Sequence, residues 1–164
     1  MDTTAYKIIL LLHIAAAIVG FGGVIAHGAY NAKAFASKAG QAKAILSVTQ
    51  SVTNIAHYAI YGVLVLGVIL ISLSSGGNSE GISMGAPWVS ASFVVWFALV
   101  GVAHGLVKPT VRGLLSEAEG MADNDEMTAN PSVLALAKKL ALGEGLTQLL
   151  LVIAIILMIW KPGN

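Results

Sequence analysis

The chain of 164 residues contains no cysteine. Disulfides, thiolate metal ligands and thiolate-held iron–sulfur clusters are thereby excluded, so metal chemistry has to come from histidine, carboxylate or a bound cofactor. Charge is also scarce: Asp, Glu, Lys and Arg fill only 10% of the positions, and the nine Lys and Arg form no basic tract. This argues against a nucleic-acid partner, whose phosphates are met by clustered cations. Neither Glu-x-x-His nor His-Glu-x-x-His occurs, so no local motif marks a bundle or protease-type metal site.

What is present instead is apolar length. Hydrophobic residues make up 57% of the chain, a balance suited to lipid as the main solvent. Runs of about 20 apolar residues cross a hydrocarbon core of roughly 30 Å. By that criterion four spans are expected, near residues 6–30, 52–74, 88–107 and 135–160. No charged linker divides them, so residues 1–164 read as a single integral membrane domain, multi-pass, in the cell's inner (plasma) membrane. The start, MDTTAYKIILLLH, has an acidic residue before its first Lys and no small-residue cleavage site soon after, so the first run is expected to stay as a helix.

The first connection, 31–50, is Ala-rich with Lys33, Lys38 and Lys43 at five-residue spacing, and is expected to continue helically along the interface. The second, around SLSSGGNSEGISMGAPW, is polar and nearly uncharged. The third starts at Lys108-Pro109, has an amphipathic piece near Val111 to Met121, and passes into an acidic tip expected to be mobile. Lys33, Lys38, Lys43, Lys108, Arg112, Lys138 and Lys139 fall on one side of the membrane and Lys7 and Lys161 on the other. The positive-inside bias puts the first side in the cytoplasm and both termini outside it. The fold class expected is an all-α, four-transmembrane-helix up-down bundle.

The polar residues inside the spans carry the functional reading. His13 and His27 share the first span, and fourteen residues of helix amount to roughly 21 Å of rise and about 40° of net rotation, so both rings lean to one side. Counting rise from each span's midpoint brings His27, His57, His104 and Glu144 into one layer on the cytoplasmic half and leaves His13 on the other. Ionisable groups within a membrane face the bundle interior or water and are functional candidates by default. Two chemistries fit. One is haem b between His57 and His104, with Lys108 and Arg112 placed for propionates. The other is a metal site in which His27, His57, His104 and Glu144 close around one ion. Against these stand plain structural roles: interfacial histidines, a polar cluster of Glu144 with Gln148 and Lys139, and anchoring by Tyr58 and Tyr61. Gly20, Gly22, Gly23, Gly28, Gly101, Gly105, Gly143 and Gly145 mark either close helix packing or room for a flat cofactor. A cofactor-free accessory subunit of a larger membrane complex, or a homo-oligomer, uses the same glycine faces for docking. The methionines form no stripe suggesting a thioether ligand.

The pattern LLHIAAAIVGFGG in the first span, with four spans, a basic first connection and the ending WKPGN, resembles a group of small, uncharacterised bacterial integral membrane proteins. A span-one histidine followed by a glycine pair is also similar to copper-resistance D-type domains and to the haem-linked membrane protoporphyrinogen oxidase. That resemblance implies metal or haem chemistry at His13. The oxidase type carries arginine near this histidine where the present chain has Gly, Ala and Ile, so its activity is not carried across. The resemblance implies the fold; the leading function, a non-catalytic or electron-transferring subunit that binds haem b in the cytoplasmic half, rests on His57 and His104 at matched depth.

Overall fold

The computed structural model describes residues 4–74 and 84–162. Most of the polar second connection lies outside the described residues. The elements are α1 (Thr4–Phe35), α2 (Ala39–Ser74), α3 (Pro87–Val102) and α4 (Lys108–Glu119), then a 3-10 turn (Met127–Ala129) and α5 (Pro131–Trp160). A π-helical stretch, Ala103–Val107, joins α3 to α4, so the two form one helical run of 33 residues. Four helices are long and apolar enough to cross a membrane, and no strand occurs among the described residues.

The helices overrun their expected spans because the amphipathic flanks continue the same hydrogen-bonded ladder. With 36 residues, α2 is roughly 54 Å long, well beyond a hydrocarbon core of roughly 30 Å. α1 and α2 form a hairpin closed at Ala36–Lys38, where Ser37 N donates to Ala34 O at 3.1 Å. The first connection is thus helical as expected on both sides of that turn, and its α2 part packs against α4. The third span shows a related difference. Pro109 does not end it; the helix runs through. Pro109 cannot donate to the Gly105 carbonyl, and its ring crowds that turn; the wider π turn at Ala103–Val107 takes up the misfit within the helix.

The end of the bundle carrying the α1–α2 turn and the α4–α5 connection, here the loop end, holds the main hydrophobic core. Leu46, Leu114 and Met127 are fully buried there among Ala34, Ala42 and Val133. In contact with water, each such Leu contributes about 1.5–3 kcal/mol. The acidic tip, expected to be mobile, is tied down: Ala39 N donates to Asp125 O at 2.8 Å and Gly40 N to Asp123 O at 3.1 Å. A side chain at Gly40 would crowd Asp123 at 3.1–3.3 Å, so glycine is what lets this segment approach. Asn130 caps α5 by accepting from Ser132 N, followed by Pro131 at the first helical position.

Across the membrane the surfaces reverse. Ile18, Ile25, Val65, Phe97, Leu149 and Ile159 are exposed, as expected where lipid replaces water. Inside, α1 buries Gly20, His27, Asn31 and Ala34, and α2 buries Leu46, Thr49, Thr53, Ala56 and Ile60. These are 3, 4 and 7 residues apart, the seam of two helices packed along their length. Gly23 sits at the closest approach, where a Cβ would stand 2.9 Å from Ala56 Cβ. The glycines of α1 are therefore mainly a packing face. Gly101 and Gly105 are different: nothing stands within 4 Å of a Cβ built on either, so that GxxxG pair is not a helix contact.

Candidate functional site

The seam places His27 and Asn31 one turn apart on α1, facing Thr53 on α2 and Glu144 on α5. His27 is 4% and Asn31 1% exposed. His27 Nδ1 lies 3.0 Å from Glu144 Oε1, and Asn31 Nδ2 donates to the same oxygen at 2.6 Å and lies 3.1 Å from His27 Nδ1. The other ring nitrogen, Nε2, is hydrogen-bonded to Thr53 Oγ1. Thr53 in turn donates its hydroxyl hydrogen to the Thr49 carbonyl at 2.7 Å. A Cβ at Gly28 would meet Glu144 Oε2 at 3.5 Å and Gln148 Nε2 at 3.7 Å, ordinary contact distances, so the carboxylate and the Gln148 amide lie over the Gly28 backbone.

His57 and His104 make a second pair, between α2 and the π stretch, with ring centroids 4.8 Å apart and planes tilted by 50°. His104 Nδ1 lies 3.1 Å from the Val100 carbonyl, which can only accept, so Nδ1 carries the hydrogen. Nε2 then accepts from the Tyr61 hydroxyl at 3.0 Å. Tyr61 is thus a partner of His104, beyond the anchoring role expected for it, whereas Tyr58 points outward as an anchor does. His57 Nδ1 is buried, near the Thr53 carbonyl but without a hydrogen bond of normal geometry. A small cavity of about 30 Å³, lined by His27, Thr53, His57, Glu144 and Thr147, separates the two pairs. That is room for one water.

The expected layer of four ionisable groups therefore splits in two. Glu144 joins His27 and Asn31, and the grouping of His57, His104 and Glu144 around one metal ion is not formed: among the described residues no three His, Asp or Glu side chains are placed to hold a metal. Equal depth on four helices does not fix which way each helix turns its side chains, and rotation decided the pairing. A haem plane between His57 and His104 requires the touching rings to part. Lys108 and Arg112 follow His104 on the same helical run by one and two turns. Asn31 and Thr53 were not foreseen as site residues. The signal for Asn31 was its position four residues after His27, on the same helical face.

Toward the end carrying Thr4 and Trp160, here the terminal end, a cavity of about 760 Å³ opens between α1, α2, α3 and α5. Phe21, Phe93, Trp88 and Trp96 line it, with His13 in its wall and Lys161 at its edge. Lys161 Nζ stands 5.6 Å from the Trp88 ring centre. Trp88 is 5% exposed, and its Nε1 has no hydrogen-bond partner among the described residues. His13 Nδ1 is likewise buried, near the Val63 carbonyl but without a hydrogen bond of normal geometry. Its ring packs where a side chain at position 67 would be, 3.3 Å from a Cβ built on Gly67. His13, expected to stand alone, thus faces a cavity that its apolar lining hid from the sequence.

Neither the curated proteins nor the solved structures give a match to the chain. A family model does, over residues 7–162, described as "Predicted integral membrane protein (DUF2269)". The match supports the resemblance to a small integral membrane family and does not extend to the copper-resistance or oxidase domains. With nearly the whole length matched and four membrane-crossing helices in place, the chain belongs to this family of integral membrane proteins.

Proposed function

We propose that this membrane protein binds a lipid-soluble carbonyl compound of the quinone class in the cavity at its terminal end. The observation that carries the reading is an apolar cavity of about 760 Å³ with the Trp88 and His13 rings in its wall, whose nitrogens Trp88 Nε1 and His13 Nδ1 lie buried without a hydrogen bond of normal geometry, within reach of a ligand once either ring turns. Pockets of roughly 300–1,000 Å³ with few convergent polar groups suit small lipophilic ligands. Indole donates only, so the ligand must offer acceptor oxygens. Phe21, Phe93, Trp88 and Trp96 offer ring faces to a flat body.

A second reading keeps haem b, held by His57 and His104 with Lys108 and Arg112 toward the propionates, and with it electron transfer. What favours it is His104, whose Nδ1 hydrogen is fixed on a backbone carbonyl, the arrangement that orients metal-bound imidazoles. Haem binding there requires Tyr61 to release Nε2.

One preparation tests both. Protein purified in mild detergent is extracted with organic solvent for absorbance and mass analysis, and then titrated with a short-chain quinone while tryptophan fluorescence is followed. The expected result is saturable quenching that His13→Ala weakens about fivefold, the equivalent of roughly 1 kcal/mol for one hydrogen bond. A membrane lipid in the extract, with no quinone and no quenching, assigns the cavity to lipid ester carbonyls instead. Quenching that neither saturates nor responds to His13→Ala or Trp88→Phe sinks the proposal. A reduced-minus-oxidised spectrum without Soret and α bands sinks the haem reading. A second subunit co-purifying with a protein that binds neither compound points to the accessory role.

A further inference from the structure

The proton count at His27 and Glu144 leads past ligand binding, and rests on different residues. Thr53 has one hydroxyl hydrogen, and it goes to the Thr49 carbonyl. Toward His27 the Thr53 oxygen can therefore only accept, so Nε2 must carry a hydrogen. The remaining contact, Nδ1 to Glu144 Oε1 at 3.0 Å, is a hydrogen bond only if one more hydrogen lies between the two atoms. With it on either atom, the pair is neutral overall. Without it, a lone pair faces a carboxylate at 3.0 Å in a buried site, with only the Asn31 amide, 3.1 Å from Nδ1 and 2.6 Å from Oε1, to offset the repulsion. The 2.6 Å donation from Asn31 to the same oxygen is short, as bonds to an ionised acceptor are, and puts the hydrogen on the imidazole side.

We propose that His27 and Glu144 form an intramembrane proton-binding site that holds one exchangeable proton and exchanges it through the small cavity beside His57. The groups facing the pair are consistent with a single proton. From α2 come the Thr53 hydroxyl and, across the cavity, His57; from α5, Gln148 and the Thr147 hydroxyl, which donates to the Gly143 carbonyl. The π stretch presents Ala103 and Val107 to the cavity, with His104 behind His57. None of these gives Glu144 a second cation. The cavity of about 30 Å³ admits a water, and the His57 side chain forms part of its wall. A proton leaving the pair passes to a water in that cavity, beside His57, and its departure leaves the Glu144 carboxylate without a cation. The site therefore binds and releases a proton, moving one unit of charge.

The test is magnetic resonance on the full chain in lipid nanodiscs at pH 7, with ¹⁵N in the histidine rings and ¹³C in the glutamate carboxyls. Wild type is expected to show two ring hydrogens at His27, one on Nε2 and one on or shared from Nδ1. The isosteric Glu144→Gln variant is expected to keep the first and lose the second, because an amide can donate to Nδ1 itself. His57→Phe, which places an apolar ring on the path, is expected to keep the count and slow exchange of the Nδ1 hydrogen with solvent. A bare Nδ1 beside an ionised Glu144 in wild type overturns the site, and this needs no variant to fold. A second ring hydrogen that persists in Glu144→Gln also overturns it. Exchange unchanged in His57→Phe overturns the path. None of these outcomes depends on whether the terminal-end cavity takes a quinone.

Discussion

The two ends of the membrane-spanning region hold their first-helix histidines in different ways. Toward the loop end, both nitrogens of His27 and the Thr53 hydroxyl have partners, and Glu144 Oε1 has two, while Asn31 Oδ1 and His57 Nδ1 beside them have no hydrogen bond of normal geometry. Toward the terminal end, Trp88 Nε1 has none and His13 Nδ1 has no normal bond, beside a cavity more than twenty times larger than the one at His27. Nature rarely leaves buried donors without use. A hydrogen-bonded cluster around a histidine fixes helices against each other and sets a proton's position; a histidine without such partners beside an apolar space is free to meet a ligand. The difference assigns structural stability and proton binding to one end, and recognition to the other.

The largest test of that division is Glu144→Ala. It strips His27 and Asn31 of their shared acceptor while they remain buried, and is expected to cost about 2–3 kcal/mol of stability. Denaturant titration in mixed micelles reads this directly. His13→Ala, at the other end, is expected to leave the same titration unchanged or slightly improved, because it removes a poorly partnered nitrogen. Equal losses in the two variants would erase the distinction between the ends.

A sharper test uses neighbouring glycines of α1. At Gly23 a Cβ stands 2.9 Å from Ala56 Cβ, whereas at Gly22, in the cavity wall, nothing lies within 4 Å. Gly23→Ala should push α1 from α2 at a cost of about 1–2 kcal/mol. Gly22→Ala should be neutral or gain a few tenths of a kcal/mol from helix propensity, while narrowing the cavity. The measurement is again unfolding, paired with quinone quenching. Stability loss in Gly22→Ala would mean that the cavity wall is a packing contact.

How much of this was legible in the sequence follows the same line. The four spans were, because apolar length is a property of composition. So was the shared face of His13 and His27, because a fourteen-residue spacing is nearly a whole number of helical turns. The partner of Glu144 was not: depth can be counted along a chain, but helix rotation is set by contacts such as Gly23 on Ala56, which belong to two segments at once. Asn31 was lost to a span boundary drawn at residue 30, although the helix runs to Phe35. The terminal-end cavity left no trace, since residues lining it and residues facing lipid are of the same types.

The smallest effect is expected outside the membrane. The Lys43 ammonium, 2.8 Å from Asp123, holds that carboxyl below the usual aspartate range by hydrogen bond and charge. A depressed folded-state value contributes stability above the unfolded-state value and loses it as pH falls through the folded one. The window therefore lies at and below ordinary aspartate titration, with nothing to see near neutrality. Asp123 is exposed, so salt screens even this contribution. The tip is held mainly by backbone bonds from Ala39 and Gly40 to Asp125 and Asp123, which Asp123→Asn leaves in place. Limited proteolysis should accordingly cut the 120–126 segment of Asp123→Asn and wild type at nearly the same rate at pH 7. Gly40→Leu, which crowds the Asp123 backbone and side chain at 3.1–3.3 Å, should be cut faster. If Asp123→Asn alone releases the segment at neutral pH, the ion pair and not the backbone anchors it, and the loop end owes its order to charge after all.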